Sequence, residues 1–125
     1  MVKDMGTGHE ILKFATGWEA ITGTVTSTGV EAGSDGRKIL KAGTILGAAT
    51  NGKTIIVDRD KAKATASSDA ECVLLEDTDV TAGETVAPLL TKGYVDLAKY
   101  ASGDAPSSTL MGYLKANNPM IVFVG

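Results

Sequence analysis

Few residues of this sequence are suited to acid–base or metal chemistry. His9 is its one histidine, and it begins the stretch His-Glu-Ile-Leu-Lys, which starts like the helix of a zinc protease. In that motif a second histidine stands at i+4, so that two imidazoles bind the metal from one helix face. Lys13 occupies that position instead. A solvent-exposed histidine is the better interpretation, and we expect neither a metal site nor a Ser-His-Asp arrangement around His9.

Two further patterns fall short of the sites that they resemble. Asp77 and Asp79 alternate as the carboxylates of a calcium loop do, but Ala82 stands where that loop requires glycine and Pro88 where it requires glutamate. Gly6-Thr7-Gly8 lacks the preceding strand of a dinucleotide-binding fingerprint. We therefore expect no catalytic residue, no cofactor and no bound metal, and we expect that the protein is not an enzyme.

Charge and composition exclude several function classes. Lys and Arg number 12 against 15 Asp and Glu, which gives a net charge of −3, whereas binding to nucleic acid by bulk electrostatics needs a basic face. No apolar run approaches the roughly 18 residues of a membrane span, and charged residues such as Asp4 and Glu10 interrupt any signal peptide. The lone Cys72, followed by apolar residues, indicates a buried thiol in a chain that folds in a reducing compartment.

Short strands are the main secondary structure that the sequence predicts. Residues 21–32 are rich in β-branched residues and form either an extended strand or a flexible connector. Glycine, at 15 of 125 residues, supplies turns near Gly36, Gly43 and Gly52. We predict the further strands 37–40, 44–46, 54–57, 72–75, 85–95 and 120–124, with a loop over 58–71.

Three of these strands carry specific expectations. Residues 72–75 are apolar on both faces, as in a strand that is buried on both sides. Pro88 cannot donate a ladder hydrogen bond, so we expect it at a sheet edge or a β-bulge. Residues 120–124 are apolar enough to aggregate if exposed, so this strand pairs within the sheet or lies at a subunit contact.

Two short helical segments complete the predicted secondary structure. Ser107 or Ser108 can cap a helix over 107–117, and Pro119 prevents its continuation. Residues 96–100 resemble a single helical turn. The sequence therefore predicts about seven short strands with one or two small helices.

The first twenty residues are predicted to form an N-terminal arm, residues 1–20, that precedes a single β-rich domain, residues 21–125. The arm contains Ile11, Leu12, Phe14 and Trp18, and it is too apolar for a solvated tail. It either packs on its own domain or becomes ordered on a partner.

Three segments, in this order, carry a resemblance to a known family. They are residues 38–47 (Lys-Ile-Leu-Lys-Ala-Gly-Thr-Ile-Leu-Gly), 73–81 (Val-Leu-Leu-Glu-Asp-Thr-Asp-Val-Thr) and 89–97 (Leu-Leu-Thr-Lys-Gly-Tyr-Val-Asp-Leu). The sequence resembles the small head-decoration proteins of tailed bacteriophages and the related capsid-binding head fibre proteins. The resemblance covers about residues 36–100.

This resemblance implies a mainly β fold (β-rich α+β), with a small compact barrel- or tulip-like domain and an extended N-terminal arm. It also implies a structural virion protein, made in the bacterial cytoplasm, that binds the outside of a phage head as a homotrimer at local threefold positions. The implied partner is the major capsid protein, with no nucleic acid and no membrane. In lambda-like members an N-terminal arm becomes ordered against the capsid, a role that Ile11, Leu12, Phe14 and Trp18 would take here.

A binding module of another class is the alternative interpretation. In this case the protein is a small β-sandwich that recognises a glycan or a host surface, and its candidate stacking residues are Trp18, Tyr94, Tyr100 and Tyr113. These aromatic residues are spread along the chain, so no stacking platform is visible in the sequence. A small hydrolase would depend on His9 and several serines alone.

Overall fold

The computed structural model describes residues 11–12, 18–100 and 103–125. The strands are β1 (Glu19–Val25), β2 (Ile39–Leu40), β3 (Ile45–Ala48), β4 (Ala62–Ala64), β5 (Ala70–Leu74), β6 (Thr78–Asp79), β7 (Thr85–Asp96) and β8 (Ile121–Val124). A 3₁₀ turn spans Leu97–Lys99, and one α-helix, α1, spans Ser108–Asn117.

Five strands close into a barrel in the order β1-β4-β3-β5-β7, because β7 also pairs with β1. The β1–β7 pairing is antiparallel and runs from Glu19 opposite Lys92 to Val25 opposite Thr85. The β1–β4 seam is parallel and contains a single residue pair, Val25 with Ala62. The prediction of a small, mainly β, barrel-like domain with one or two short helices is confirmed.

β7 is the longest strand and has neighbours along both of its edges. β1 lies on one side and β5 on the other, and β8 pairs with the last part of β7 in parallel. The side-chain amide of Asn118, just before β8, donates to the carbonyl oxygens of Glu71 at 3.0 Å and Thr91 at 3.1 Å. β8 therefore follows β5 along the same edge of β7, so residues 120–124 pair within the sheet, one of the two expected outcomes.

The expectation for Pro88 is wrong, because Pro88 lies inside a paired strand, opposite Thr22 of β1. The bulge of this ladder lies instead between the pairs of Glu19 and Ala20. The Leu75 N–H, just after β5 ends, donates to the Pro88 carbonyl at 3.2 Å. The β5–β7 ladder ends at this position, so the missing N–H of Pro88 interrupts no β5–β7 hydrogen bonds farther along the strand.

Buried apolar residues form two clusters, one on each face of the barrel wall. Alternating residues of all five barrel strands fill the interior: Val25, Ala62, Leu46, Cys72 and Leu89. The other cluster lies between the wall and α1 with β8, and includes Val73, Leu90, Leu114 and Ile121. Successive residues of β5 enter opposite clusters, which confirms that this strand is buried on both faces.

The predicted strand over 54–57 is wrong. The carboxylate of Glu71 accepts hydrogen bonds from the Ile55 and Ile56 N–H groups, both at 2.8 Å, so these donors are taken by a side chain instead of a neighbouring strand. Ile55 is buried in the inner cluster, whereas Val57 is 82% exposed. The predicted loop over 58–71 is also partly wrong, because it contains β4 and the start of β5.

The predicted helices and the turn at Gly43 are confirmed. The Ser107 hydroxyl accepts from the Leu110 N–H at 3.2 Å and so caps α1, which ends at Asn117, before Pro119. Gly43 adopts φ +92°, a conformation that favours glycine.

Candidate functional site

Ile11 and Leu12 are held on the surface of the barrel wall, and we call this pair the N-terminal anchor. Leu12 forms an antiparallel bridge with Val95 of β7. The Asp96 N–H donates to the Ile11 carbonyl at 2.8 Å, and the Lys99 Nζ donates to the Leu12 carbonyl at 2.7 Å. Both anchor side chains are only 3% exposed and belong to the outer cluster. The anchor is therefore fixed by its backbone and by its side chains.

Tyr100 connects the anchor to the turn between β2 and β3. Its hydroxyl donates to the Gly43 carbonyl at 2.7 Å, and burial raises the pKa of this phenol. A Cβ atom on Gly43 would lie 2.6 Å from Tyr100 Cε2 and 2.9 Å from Ile11 Cδ1. Glycine is thus required here for the close approach of both side chains as well as for its backbone angle.

The four apolar arm residues differ in their location and burial. Ile11 and Leu12 pack on their own domain, which is one of the two outcomes expected for the arm. Trp18 is half-buried and packs against the outer cluster, while Phe14 lies outside the described residues. Contact of the arm with a capsid stays a prediction, and the anchor side chains could make it only by leaving the core.

An open groove of about 790 Å³ lies beside the anchor. Its walls come from the β2–β3 turn, the 3₁₀ turn and the start of α1, and include Leu40, Tyr100 and Leu110. Lys41, Lys99, Asp77 and Asp104 add charge of both signs. Two of these charged groups are engaged, because Lys99 binds the Leu12 carbonyl and Asp77 accepts from the Ala42 N–H at 2.8 Å.

The carboxylates that resemble a calcium loop do not converge. Asp77 accepts from Ala42, as above, and Asp79 accepts from the Thr81 N–H at 2.9 Å. In the part of the chain that the structure describes, no three His, Cys, Asp or Glu residues are placed to hold a metal ion. His9 and the segment Gly6-Thr7-Gly8 lie outside that part.

Cys72 is buried in the barrel interior. Burial raises the pKa of its thiol to about 12, and the neighbouring Glu71 carboxylate adds to the shift. A thiol with this pKa is almost wholly protonated near neutral pH, and the protonated thiol is a poor nucleophile. The structure therefore gives Cys72 a packing role.

The four aromatic residues proposed for stacking differ in their accessibility. Tyr100 is hydrogen-bonded to Gly43 and packs against the outer cluster, as does Trp18. Tyr94 and Tyr113 are more exposed, at 44% and 37%. Tyr100 is therefore not available for stacking in this conformation, and glycan binding stays a prediction.

The sequence signals for this site were incomplete. The apolar residues of the arm could be recognised as unusual, but the sequence did not indicate that Lys99 and Tyr100 contact them, since Tyr100 was a candidate only for glycan stacking and Lys99 for no role. Gly43 was recognised from its turn pattern, whereas its close approach to Tyr100 depends on contacts distant in sequence.

Comparisons with known proteins leave the family of the chain open. No protein-family model matches it, and no curated protein matches it in sequence. Among the described residues, neither helix has the length and apolarity that crossing a membrane would require. The assignment of a function therefore depends on the site and the resemblance described above.

Proposed function

We propose that this protein is a structural virion protein that binds the outside of a phage head as a homotrimer and stabilises the expanded capsid. One observation supports this most strongly: the three segments that resemble decoration proteins are paired with one another. Ile45 lies opposite Val73, Val73 lies opposite Leu90, and β2 pairs with β6. The three segments thus lie side by side in the fold, in the barrel strands β3, β5 and β7 and in the separate β2–β6 sheet.

The physical properties of the domain suit a passive clamp. Its strands close into a barrel whose interior is apolar, so the domain can transmit load between neighbouring capsid subunits without a catalytic group. Three linked copies would bind far more tightly than one, because the second and third contacts form at a high effective concentration. The capsid contacts of each copy can therefore be individually weak.

The proposed location is the exterior of the virion, with the major capsid protein as partner. Synthesis in the bacterial cytoplasm agrees with the single buried thiol, since no disulfide is needed to stabilise the fold. Of the four arm residues proposed to contact the capsid, Trp18 is the one that the structure describes as partly accessible.

Sedimentation with undecorated phage heads tests the proposal. Purified protein at micromolar concentration should move into the pellet with the heads. It should be a trimer, either already in solution, with a mass three times that of the chain, or once it is bound to the heads. Protein that remains in the supernatant would remove the main support for this function. Binding of a monomer to a glycan array, with no binding to heads, would favour the alternative module.

A further inference from the structure

In the part of the chain that the structure describes, the outer edge of β8 has unpaired backbone groups. The Gly93 N–H of β7 donates to the Met120 carbonyl at 3.1 Å, and the parallel ladder pairs Gly93 with Ile121 and Val95 with Phe123. In this pattern the N–H and C=O groups of Phe123 point away from β7. Within the described residues these two groups have no hydrogen-bond partner. Among the described residues, β8 therefore has a free ladder edge.

This edge also lacks the charged side chains that protect many edge strands. Natural edge strands often carry charged residues, lysine above all, that prevent pairing with other chains, whereas residues 116–125 contain Pro119 but no charged side chain. Met120 and Val122 are 54% and 39% exposed. In the free protein, an exposed apolar edge of this kind favours pairing with a strand of another chain.

A groove of about 320 Å³ lies between β8 and α1. Its lining is apolar, with Met111, Ile121 and Phe123 among its residues, and Lys115 is its one charged residue. Lys115 makes no ion pair with any described residue. A segment that fits this surface is extended, mostly uncharged, and carries one carboxylate.

β1 of the same chain has this chemistry. Its sequence is Glu-Ala-Ile-Thr-Gly-Thr-Val, and Glu19 is its one charged residue. β1 pairs with β4 at a single position, Val25, so the edge of β1 around Thr22 has no strand beside it in the described structure. Glu19 makes no ion pair with any described residue. The described structure thus has two free strand edges, with the Glu19 carboxylate on β1 and the Lys115 ammonium on α1, beside β8.

We propose that β8 of one copy pairs with β1 of the next copy, with Glu19 opposite Lys115. This contact is heterologous, because it joins two different surfaces, and a heterologous contact closes into a ring when the rotation between copies permits it. The inference depends on the proposed function for the number three, since a threefold rotation gives the homotrimer. The β8 edge of one copy and the β1 edge of the next are then the surfaces that form the trimer.

Solution mass of matched variants tests this interface. Val122→Lys places a charge on the β8 edge, and Val57→Lys is its control, since Val57 is an 82% exposed valine between β3 and β4 and belongs to neither β8 nor β1. By light scattering, wild type and Val57→Lys should be multimers, and Val122→Lys should be a monomer with unchanged circular dichroism. Multimeric Val122→Lys would overturn the interface and leave the trimer of the proposed function intact.

A charge exchange tests the same interface without a large change in packing. Glu19→Lys and Lys115→Glu should each weaken association by about two- to fivefold, as for an exposed ion pair, and the double variant should restore it. Lack of rescue would overturn the pairing of these two residues.

A monomeric wild type would overturn the inference, and the pelleting assay would then test capsid binding independently of it. A multimeric Val122→Lys that fails to pellet would show that the capsid covers β8.

Discussion

Gly43→Ala should destabilise the domain more than any other glycine-to-alanine change in its turns. An alanine at φ +92° costs about 1–2 kcal/mol, because its Cβ approaches the following carbonyl oxygen. The new methyl would also lie 2.6 Å from Tyr100 Cε2 and 2.9 Å from Ile11 Cδ1. Relief of such overpacking typically costs a further ~1–3 kcal/mol, so we expect a total loss of about 2–5 kcal/mol in the free energy of unfolding.

Gly52→Ala is the matched control for this variant. Gly52 has φ +84° and no heavy atom within 4 Å of the position that a Cβ would take, so only the backbone cost of about 1–2 kcal/mol applies. Urea unfolding of both variants, followed by tryptophan fluorescence, gives the two losses. Equal losses would refute the conclusion that Gly43 is needed for the approach of Tyr100 and Ile11.

Two further outcomes are expected from the buried groups. Leu12→Ala should lower the free energy of unfolding by about 2–5 kcal/mol, as for other buried leucines, and urea unfolding that matches wild type would show that the anchor is not part of the core. For Cys72, burial raises the folded pKa of the thiol from its ordinary value of 9.0 to about 12, so the unfolded chain releases its thiol proton first. The contribution of Cys72 to stability should therefore be constant below about pH 9 and decrease above it, and unfolding curves at several pH values should show a smaller decrease in this range for Cys72→Ala than for wild type.

The parts of the fold that were predictable from sequence are those specified by local patterns. The apolar run at 72–75, the capped segment after Ser107 and the turn at Gly43 each have a signal within a few residues, and each is confirmed. The order of the barrel strands had no such signal. Closure depends on the pairing of β1 with β7, which joins residues as distant as Glu19 and Lys92.

The wrong predictions have a common cause: contacts between distant residues override the structure that the local sequence favours. Residues 54–57 have a strand-like composition, but Glu71 takes two of their N–H groups. β4 is the opposite case, since Ala62-Lys63-Ala64 has little β propensity and is held as a strand by β3. Pro88 is accepted inside β7 because the β5 ladder stops beside it. No alternation of apolar residues could have indicated these contacts.

The site was harder to predict than the fold, because its residues depend on contacts between distant segments. The apolar character of the arm was recognisable, but the sequence left open whether a partner or the domain itself would cover it. For Ile11 and Leu12 the domain does so, with Lys99 and Asp96 as hydrogen-bond donors to the backbone. A lysine in a turn has no sequence feature that distinguishes this role from simple solvation.

The anchor changes what the arm can contribute to capsid binding. Removing a buried Ile or Leu side chain from a core costs roughly 2–5 kcal/mol, so a capsid contact made by Ile11 and Leu12 would first have to offset the loss of both. Surfaces that are already exposed bind without this cost. Truncation of all twenty arm residues would therefore combine two effects, since it removes the anchor and the start of β1 as well. Removal of residues 1–10 alone leaves the anchor in place, and its effect on head binding can be attributed to the arm.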